Sequence, residues 1–165
     1  MHASHFDRSA AKPELYETLA RSLDALIGDE PDALANLSNA AALIWEALPD
    51  INWAGFYVLR GGELVLGPFQ GRPACVRIAM GKGVCGTAAA NRETLVVPDV
   101  QKFPGHIACD EASRSEIVVP LIANGNLVGV LDVDAPNANR FDDDDRAGLE
   151  RVAALLAQKV RWERI

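Results

Sequence analysis

Apolar positions recur along this chain at two spacings, and the change from one to the other marks out its elements. From Lys12 to Asn52 the spacing is helical. Leu15, Leu19, Leu23, Leu26 and Ile27 form one stripe that ends at Gly28. Leu34, Leu37, Ala41, Leu43, Ile44 and Leu48 form a second, opened by Pro31 and closed by Pro49. Proline is tolerated in the first turn, and glycine terminates helices readily. From Trp53 the pattern shortens to that of strands. "NWAGFYVLR" and "ELVLGPF" flank Gly61-Gly62, and "EIVVPLI" and "LVGVLDV" flank "ANGN", so each pair predicts a hairpin with a tight turn. "CVRIA" and "TLVVPDV" predict short strands, the second stopped at Pro98. Between them "GKGVCGTAAANRE" predicts two small-residue turns and a short alanine-rich helix that Thr87 helps to begin. After "DDDD", Leu149, Val152, Leu155, Leu156 and Val160 return to one helical stripe, with acids at its start and basic residues near its end, as the helix dipole favours.

Helices at both ends of a run of antiparallel strands predict an α+β domain. The expected architecture is a central antiparallel sheet, with the N- and C-terminal helices on one face and a ligand pocket on the other. Residues 1–12 are expected to be a flexible N-terminus and 13–165 a single domain. Composition narrows the function. The chain has 165 residues, 49% of them hydrophobic, enough to bury roughly 70% of the unfolded surface in one domain. Its net charge of −7 makes nucleic acid and anionic membrane poor partners. No run approaches the roughly 20 apolar residues that span a bilayer. The N-terminus has no basic segment followed by an apolar one, so a cytoplasmic location is expected.

All three cysteines, Cys75, Cys85 and Cys109, lie in the middle of the chain. An odd number does not suit a secreted disulfide scaffold. Each could fill a small apolar space, and Cys85 between Val84 and Gly86 suits that role. They could instead bind zinc, with His106-x-x-Cys109 at ligand-like spacing, although no compact C-x₂₋₄-C knuckle is present. Or they could cycle between thiol and disulfide. Cys109 stands beside Asp110 and Glu111, with Glu116 further on. Negative charge disfavours the thiolate, so this setting needs a reason. Asp132 and Asp134, two apart on a strand, point the same way. They are either a solvated strand end or part of a site, and the following Pro136 and Asn137 break a calcium-loop pattern. Ala54, Phe56 and Val58 read as core, while Trp53 and Tyr57 share the opposite face, with a gap at Gly55 between them. That second face is either an aromatic wall or a surface that a helix covers.

The run "GKGVCGTAAANRETLVVPDVQKFPGHIACDEASRSEIVVPL" followed by "LVGVLDVDAP" resembles the free methionine-(R)-sulfoxide reductases, small enzymes of the GAF fold. The resemblance extends from "DINWAGFY" to "RFDDDD". It implies a GAF-like domain that reduces free L-methionine-(R)-sulfoxide to methionine. Cys109 matches the attacking cysteine, Cys75 its resolving partner and Cys85 an auxiliary one. Trp53 and Tyr57 match the wall that receives the methyl sulfoxide. Glu116, Asp132 and Asp134 match the acids that hold the amino acid, and Glu116 or an aspartate would protonate the sulfoxide oxygen. The resemblance further implies a sulfenic acid on Cys109, a disulfide, recycling by thioredoxin, no cofactor and no metal, with a homodimer as a possible assembly. The competing expectation is a non-catalytic GAF module that senses a small ligand or redox state. Asp110 and Glu111 then read as loop charge, and His106 has no assigned role.

Overall fold

The structure is a computed structural model and describes residues 6–105 and 111–165. Two helices, α1 (Lys12–Ile27) and α2 (Ala33–Ala47), precede β1 (Trp53–Arg60), β2 (Glu63–Gly71) and β3 (Arg77–Ala79). Helix α3 (Gly83–Asn91), β4 (Leu95–Val97), β5 (Ser115–Ala123), β6 (Asn126–Ala135) and α4 (Asp143–Lys159) follow. The six strands form one sheet in the order β3-β2-β1-β6-β5-β4, every neighbouring pair antiparallel.

The helix ends show which sequence signals acted. Asp32, one residue after Pro31, caps α2 by accepting from the Ala35 N–H at 2.8 Å. Asp142 and Asp145 form a reciprocal capping box at the start of α4. Helix α3 starts at Gly83, four residues before Thr87, whose hydroxyl instead donates back to the Gly83 carbonyl at 2.6 Å inside the helix. Strand β3 is also shorter than expected. Cys75 and Val76 lie ahead of it, and Val76 is exposed.

Alternation sorts the sheet into two faces. Ala54, Phe56, Val58, Ile117, Val119, Leu121, Leu131, Val133 and Ala135 lie on one face and pack with the apolar stripes of α1, α2 and α4. Each large side chain buried there contributes about 1.5–3 kcal/mol. The other face carries Trp53, Tyr57, Leu64, Val118 and Val130, covered by α3 through Val84, Cys85, Ala88 and Ala89. The N- and C-terminal helices thus share one face, as expected, and the opposite face is left to one short helix and loops.

The segment ahead of α1 packs onto the helix side of the domain. Phe6 is buried in the helix-side core, and Arg8 donates to the Glu46 carbonyl from Nε at 2.9 Å and from Nη2 at 2.6 Å. Lys12 reaches Asp145, which is fully buried at the start of α4. Asp145 also accepts from the Tyr16 hydroxyl at 2.9 Å, Arg140 Nη1 at 3.1 Å and the Asp142 N–H at 2.9 Å. The Tyr16 ring lies so close over Gly148 that a Cβ there would sit 2.1 Å from the ring. Among the described residues no helix is long and apolar enough to cross a membrane.

Candidate active site

Strand register assembles the site. Across β1, β6 and β5, Trp53 pairs with Asp134, which pairs with Glu116. In the next row Gly55 pairs with Asp132, which pairs with Val118, and beyond them Tyr57 pairs with Val130. Positions two apart share a face, so the aromatic and acidic residues of three strands converge. The first turn of α3 closes over them and brings in Cys85, with Sγ 3.9 Å from Glu116 Oε1. Trp53, Tyr57, Cys85, Glu116, Asp132 and Asp134 line a single pocket with Pro73, Ala74, Ile78, Lys82, Gly83, Val84 and Ser113.

Glu116 and Asp132 are buried and make no ion pair among the described residues. Glu116 and Asp132 are each 6% exposed. Burial, reinforced by the charges of Asp132 and Asp134, pushes the Glu116 carboxyl well above its ordinary range. Burial raises Asp132 to about 7. The Cys85 thiol is pushed up by burial and by the neighbouring Asp132 and Glu116. Asp132 Oδ1 is buried and has no hydrogen-bond partner. Removal of solvent disfavours charge, and like charges disfavour it further, so both carboxyls favour their protonated forms. The Cys85 sulfur, a Glu116 oxygen and an Asp132 oxygen lie within 4.8 Å of one another, which also makes them the described side chains most able to hold a divalent ion.

Beside the acids, on the same face of the sheet, is an aromatic wall. Trp53 and Tyr57 stack with centroids 6.0 Å apart at 23°. No gap opens at Gly55, because Phe69 from β2 stacks on Trp53 at 5.3 Å and 13°. A Cβ at position 55 would sit 2.3 Å from the Phe69 Cβ, so only glycine allows this approach. The polar tips of the wall face the segment before β3. Trp53 Nε1 donates to the Arg72 carbonyl at 3.1 Å, and the Tyr57 hydroxyl donates to the Cys75 carbonyl at 3.0 Å. Burial, then the charge of Asp132, raises the Tyr57 phenol, so it remains a donor.

Of the three cysteines, Cys75 is disulfide-bonded and Cys85 is a buried free thiol. A disulfide sulfur is no thiolate ligand, which takes Cys75 out of a Cys₃His zinc set. Cys109, His106 and Asp110 lie outside the described residues. Glu111 is exposed, in keeping with loop charge. Lys82 and Ser113, which line the pocket, and Phe69, which backs Trp53, are not marked by the sequence pattern. Lys82, a lone cation between two glycines ahead of a helix, comes nearest to a signal.

The GAF domain model matches residues 15–160. The free methionine-R-sulfoxide reductase of Escherichia coli (strain K12) is 52% identical, over 88% of this chain and 88% of its own. The chain belongs to the free methionine-R-sulfoxide reductase family of GAF proteins. A second member of this reductase family, from Saccharomyces cerevisiae, is 50% identical over 94% of this chain and 92% of its own. The X-ray structure of the free methionine-R-sulfoxide reductase from Neisseria meningitidis, in complex with its substrate, superposes with a TM-score of 0.93. It is 44% identical and covers 99% of this chain and 98% of that one. Family membership and the α+β GAF architecture therefore agree with what the sequence implied. Every expected aromatic and acidic residue of the reductase site, together with Cys85, falls in one pocket.

Proposed function

We propose that this chain reduces free L-methionine-(R)-sulfoxide to L-methionine by thiol chemistry. The observation that carries the proposal is the buried Glu116–Asp132 pair, which makes no ion pair among the described residues, in one pocket with Asp134, Trp53 and Tyr57. The relatives named as free methionine-R-sulfoxide reductases support the same substrate for this chain.

The substrate ammonium supplies a cation and makes charge-assisted hydrogen bonds to Asp132 and Asp134. The methyl group and polarised sulfur pack on Trp53. Glu116 keeps a proton at neutral pH and gives it to the sulfoxide oxygen, which leaves poorly as a bare oxide. The Cys109 sulfur attacks the substrate sulfur. In net, one S–O bond of the substrate breaks and one forms on Cys109, so methionine is released and Cys109 becomes a sulfenic acid. The Cys75 thiol then attacks that sulfur, water leaves, and a disulfide results. A thioredoxin-class dithiol reduces it and restores both thiols. The disulfide on Cys75, with Cys85 free, supports Cys75 as the resolving group and Cys85 as auxiliary.

The test is incubation with thioredoxin, its reductase, NADPH and racemic methionine sulfoxide. About half of the sulfoxide should be consumed, as one sulfur epimer reacts. Binding without consumption would make the chain a sensor module and end the enzymatic reading. Cys109→Ser should abolish methionine formation in a single turnover. Cys75→Ser should retain the first turnover and lose thioredoxin-driven cycling.

A further inference from the structure

We infer that Cys85, Glu116 and Asp132 form a binding site for a thiophilic divalent cation of the zinc class, and that an ion held there shuts the pocket to the amino acid. The first half stands without the reductase reading; the second rests on the substrate proposed above. The three side chains come from α3, β5 and β6, and each offers one ligand atom within 4.8 Å of the other two. All three are buried. Cys85 Sγ lies 3.9 Å from Glu116 Oε1. Tetrahedral zinc, about 2.3 Å from sulfur and about 2.1 Å from a carboxylate oxygen, sets such a pair roughly 3.6 Å apart. A side-chain shift of a few tenths of an ångström therefore closes the site.

A second observation points independently to a ligand. Asp132 is only 6% exposed and lines the pocket, and its buried Oδ1 has no hydrogen-bond partner. The donor set selects the ion. Three protein ligands with a fourth position open to a pocket suit zinc. Mg²⁺ and Ca²⁺ take shells of six or more oxygens, whereas a thiolate favours Zn²⁺, Co²⁺ or Cd²⁺. On binding, the Cys85 thiol gives its proton to solvent and a metal–sulfur bond forms. One thiolate and two carboxylates together carry three negative charges, which a divalent ion offsets further than an ammonium does. Lys82, which also lines the pocket, is exposed, so water screens its charge from the site. Close docking of α3 holds the sulfur in place. Gly81 donates to the Gly86 carbonyl at 2.8 Å, and a Cβ on Gly86 would sit 2.4 Å from the Ala79 carbonyl. An ion on Asp132 and Glu116 takes both the seat of the ammonium and the proposed proton donor, so it acts as an inhibitor and not as a cofactor.

The experiment uses the full-length oxidised protein, in which Cys75 is disulfide-bonded and Cys85 is a free thiol. It is titrated with Co²⁺, whose bond to a thiolate gives a near-ultraviolet charge-transfer band, and the cobalt is then displaced by Zn²⁺. Wild type should develop the band. Cys85→Ser should lose it, and its Zn²⁺ affinity by calorimetry should fall at least about 100-fold, the upper end of what loss of a mere outer-shell partner costs. Asp132→Asn keeps the thiol and should weaken Zn²⁺ by a similar factor. No band in wild type, an undiminished band in Cys85→Ser, or unchanged Zn²⁺ affinity in Asp132→Asn overturns the site. So does displacement of Co²⁺ by an equal concentration of Mg²⁺, which would mark an acidic cluster without a metal–sulfur bond. L-Methionine should displace the ion at a concentration at which D-methionine, an equal chelator, does not. Equal displacement by the two overturns the exclusion of the amino acid and leaves the metal site standing. Protein that binds Zn²⁺ as expected, yet leaves methionine sulfoxide unreduced when free of metal, overturns the proposed reaction alone.

Discussion

Among the described residues two acidic clusters are buried, and they are built to opposite rules. Asp145 is fully buried, yet Lys12, Arg140, Tyr16 and a backbone N–H all donate to it. Glu116 and Asp132 are almost as buried and have each other, Cys85 and, among the described residues, no cation. A buried carboxylate surrounded by donors belongs to the fold. One that is raised by burial and crowding, with an oxygen left unpaired, is completed by something from outside.

The sharpest break of that contrast is Asp145→Ala. It strands the Arg140 charge and the Tyr16 hydroxyl inside the protein, and the expected loss of folding free energy is about 3–5 kcal/mol, read by denaturant titration. Asp132→Asn should do the reverse. Activity on free methionine sulfoxide should fall at least about 100-fold, while stability stays level or rises, since a buried acid that resists ionisation is replaced by a neutral amide. An Asp132→Asn variant that unfolds like Asp145→Ala would erase the distinction.

The two regions should also answer pH with opposite sign. Asp132 is raised to about 7, so the folded protein holds a proton that the unfolded chain, with an ordinary aspartate, releases from about pH 4 upward. Its stabilising contribution is full below about pH 4 and is lost as pH rises to about 7. Asp142, beside Asp145, is lowered to about 2 by its bond to Lys12, so its contribution is full above about pH 4 and is lost as pH falls toward 2. Melting temperatures across this range should lose their upper decline in Asp132→Asn and part of their lower one in Asp142→Asn. Ammonium binding requires ionised acid, so methionine affinity should rise from pH 5 to 7. The smallest effect is expected for Tyr57→Phe, which removes one hydrogen bond to the Cys75 carbonyl and should cost about 1 kcal/mol.

Much of the framework could be read from spacing, because alternation in "NWAGFY", "SEIVVPL" and "VLDVDA" already assigns side chains to two faces. The roles of the acids came from resemblance. The burial of Asp132 and Glu116 depends on α3 closing over them, which no local pattern announces. "DDDD" at 142–145 reads correctly as a helix start, but nothing local marks Asp145 as the buried one; that depends on Lys12, Tyr16 and Arg140 arriving from elsewhere. Phe69 escaped notice because its stack on Trp53 requires a shift of register between β1 and β2 at Gly55. Lys82 escaped because a lone lysine between glycines is most often a solvated turn. The start of α3 was misplaced because Gly83 is a poor helix former held there by tertiary contacts.

The hairpin between β5 and β6 also governs the site from its far end. Asn124 and Gly125, both at positive φ, make its two-residue turn and pair Ala123 with Asn126. One step on, Ile122 faces Leu127 while Leu121 faces Gly129, so Val128 is left as an extra residue. Every pairing beyond it, including Glu116 with Asp134, inherits that offset. Without the extra residue, the partners of Glu116 and Val118 would each move along β6 by one position. Ile117 and Val133 share the helix-side core with Leu131, and a slip of one residue would set the acids of β6 against that core. Val128 and the turn thus act as a counting device, keeping the strands in step so that chemistry and packing fall on their proper sides. A single inserted or deleted residue there would erase the pocket by arithmetic, with every residue of the pocket still present in the sequence.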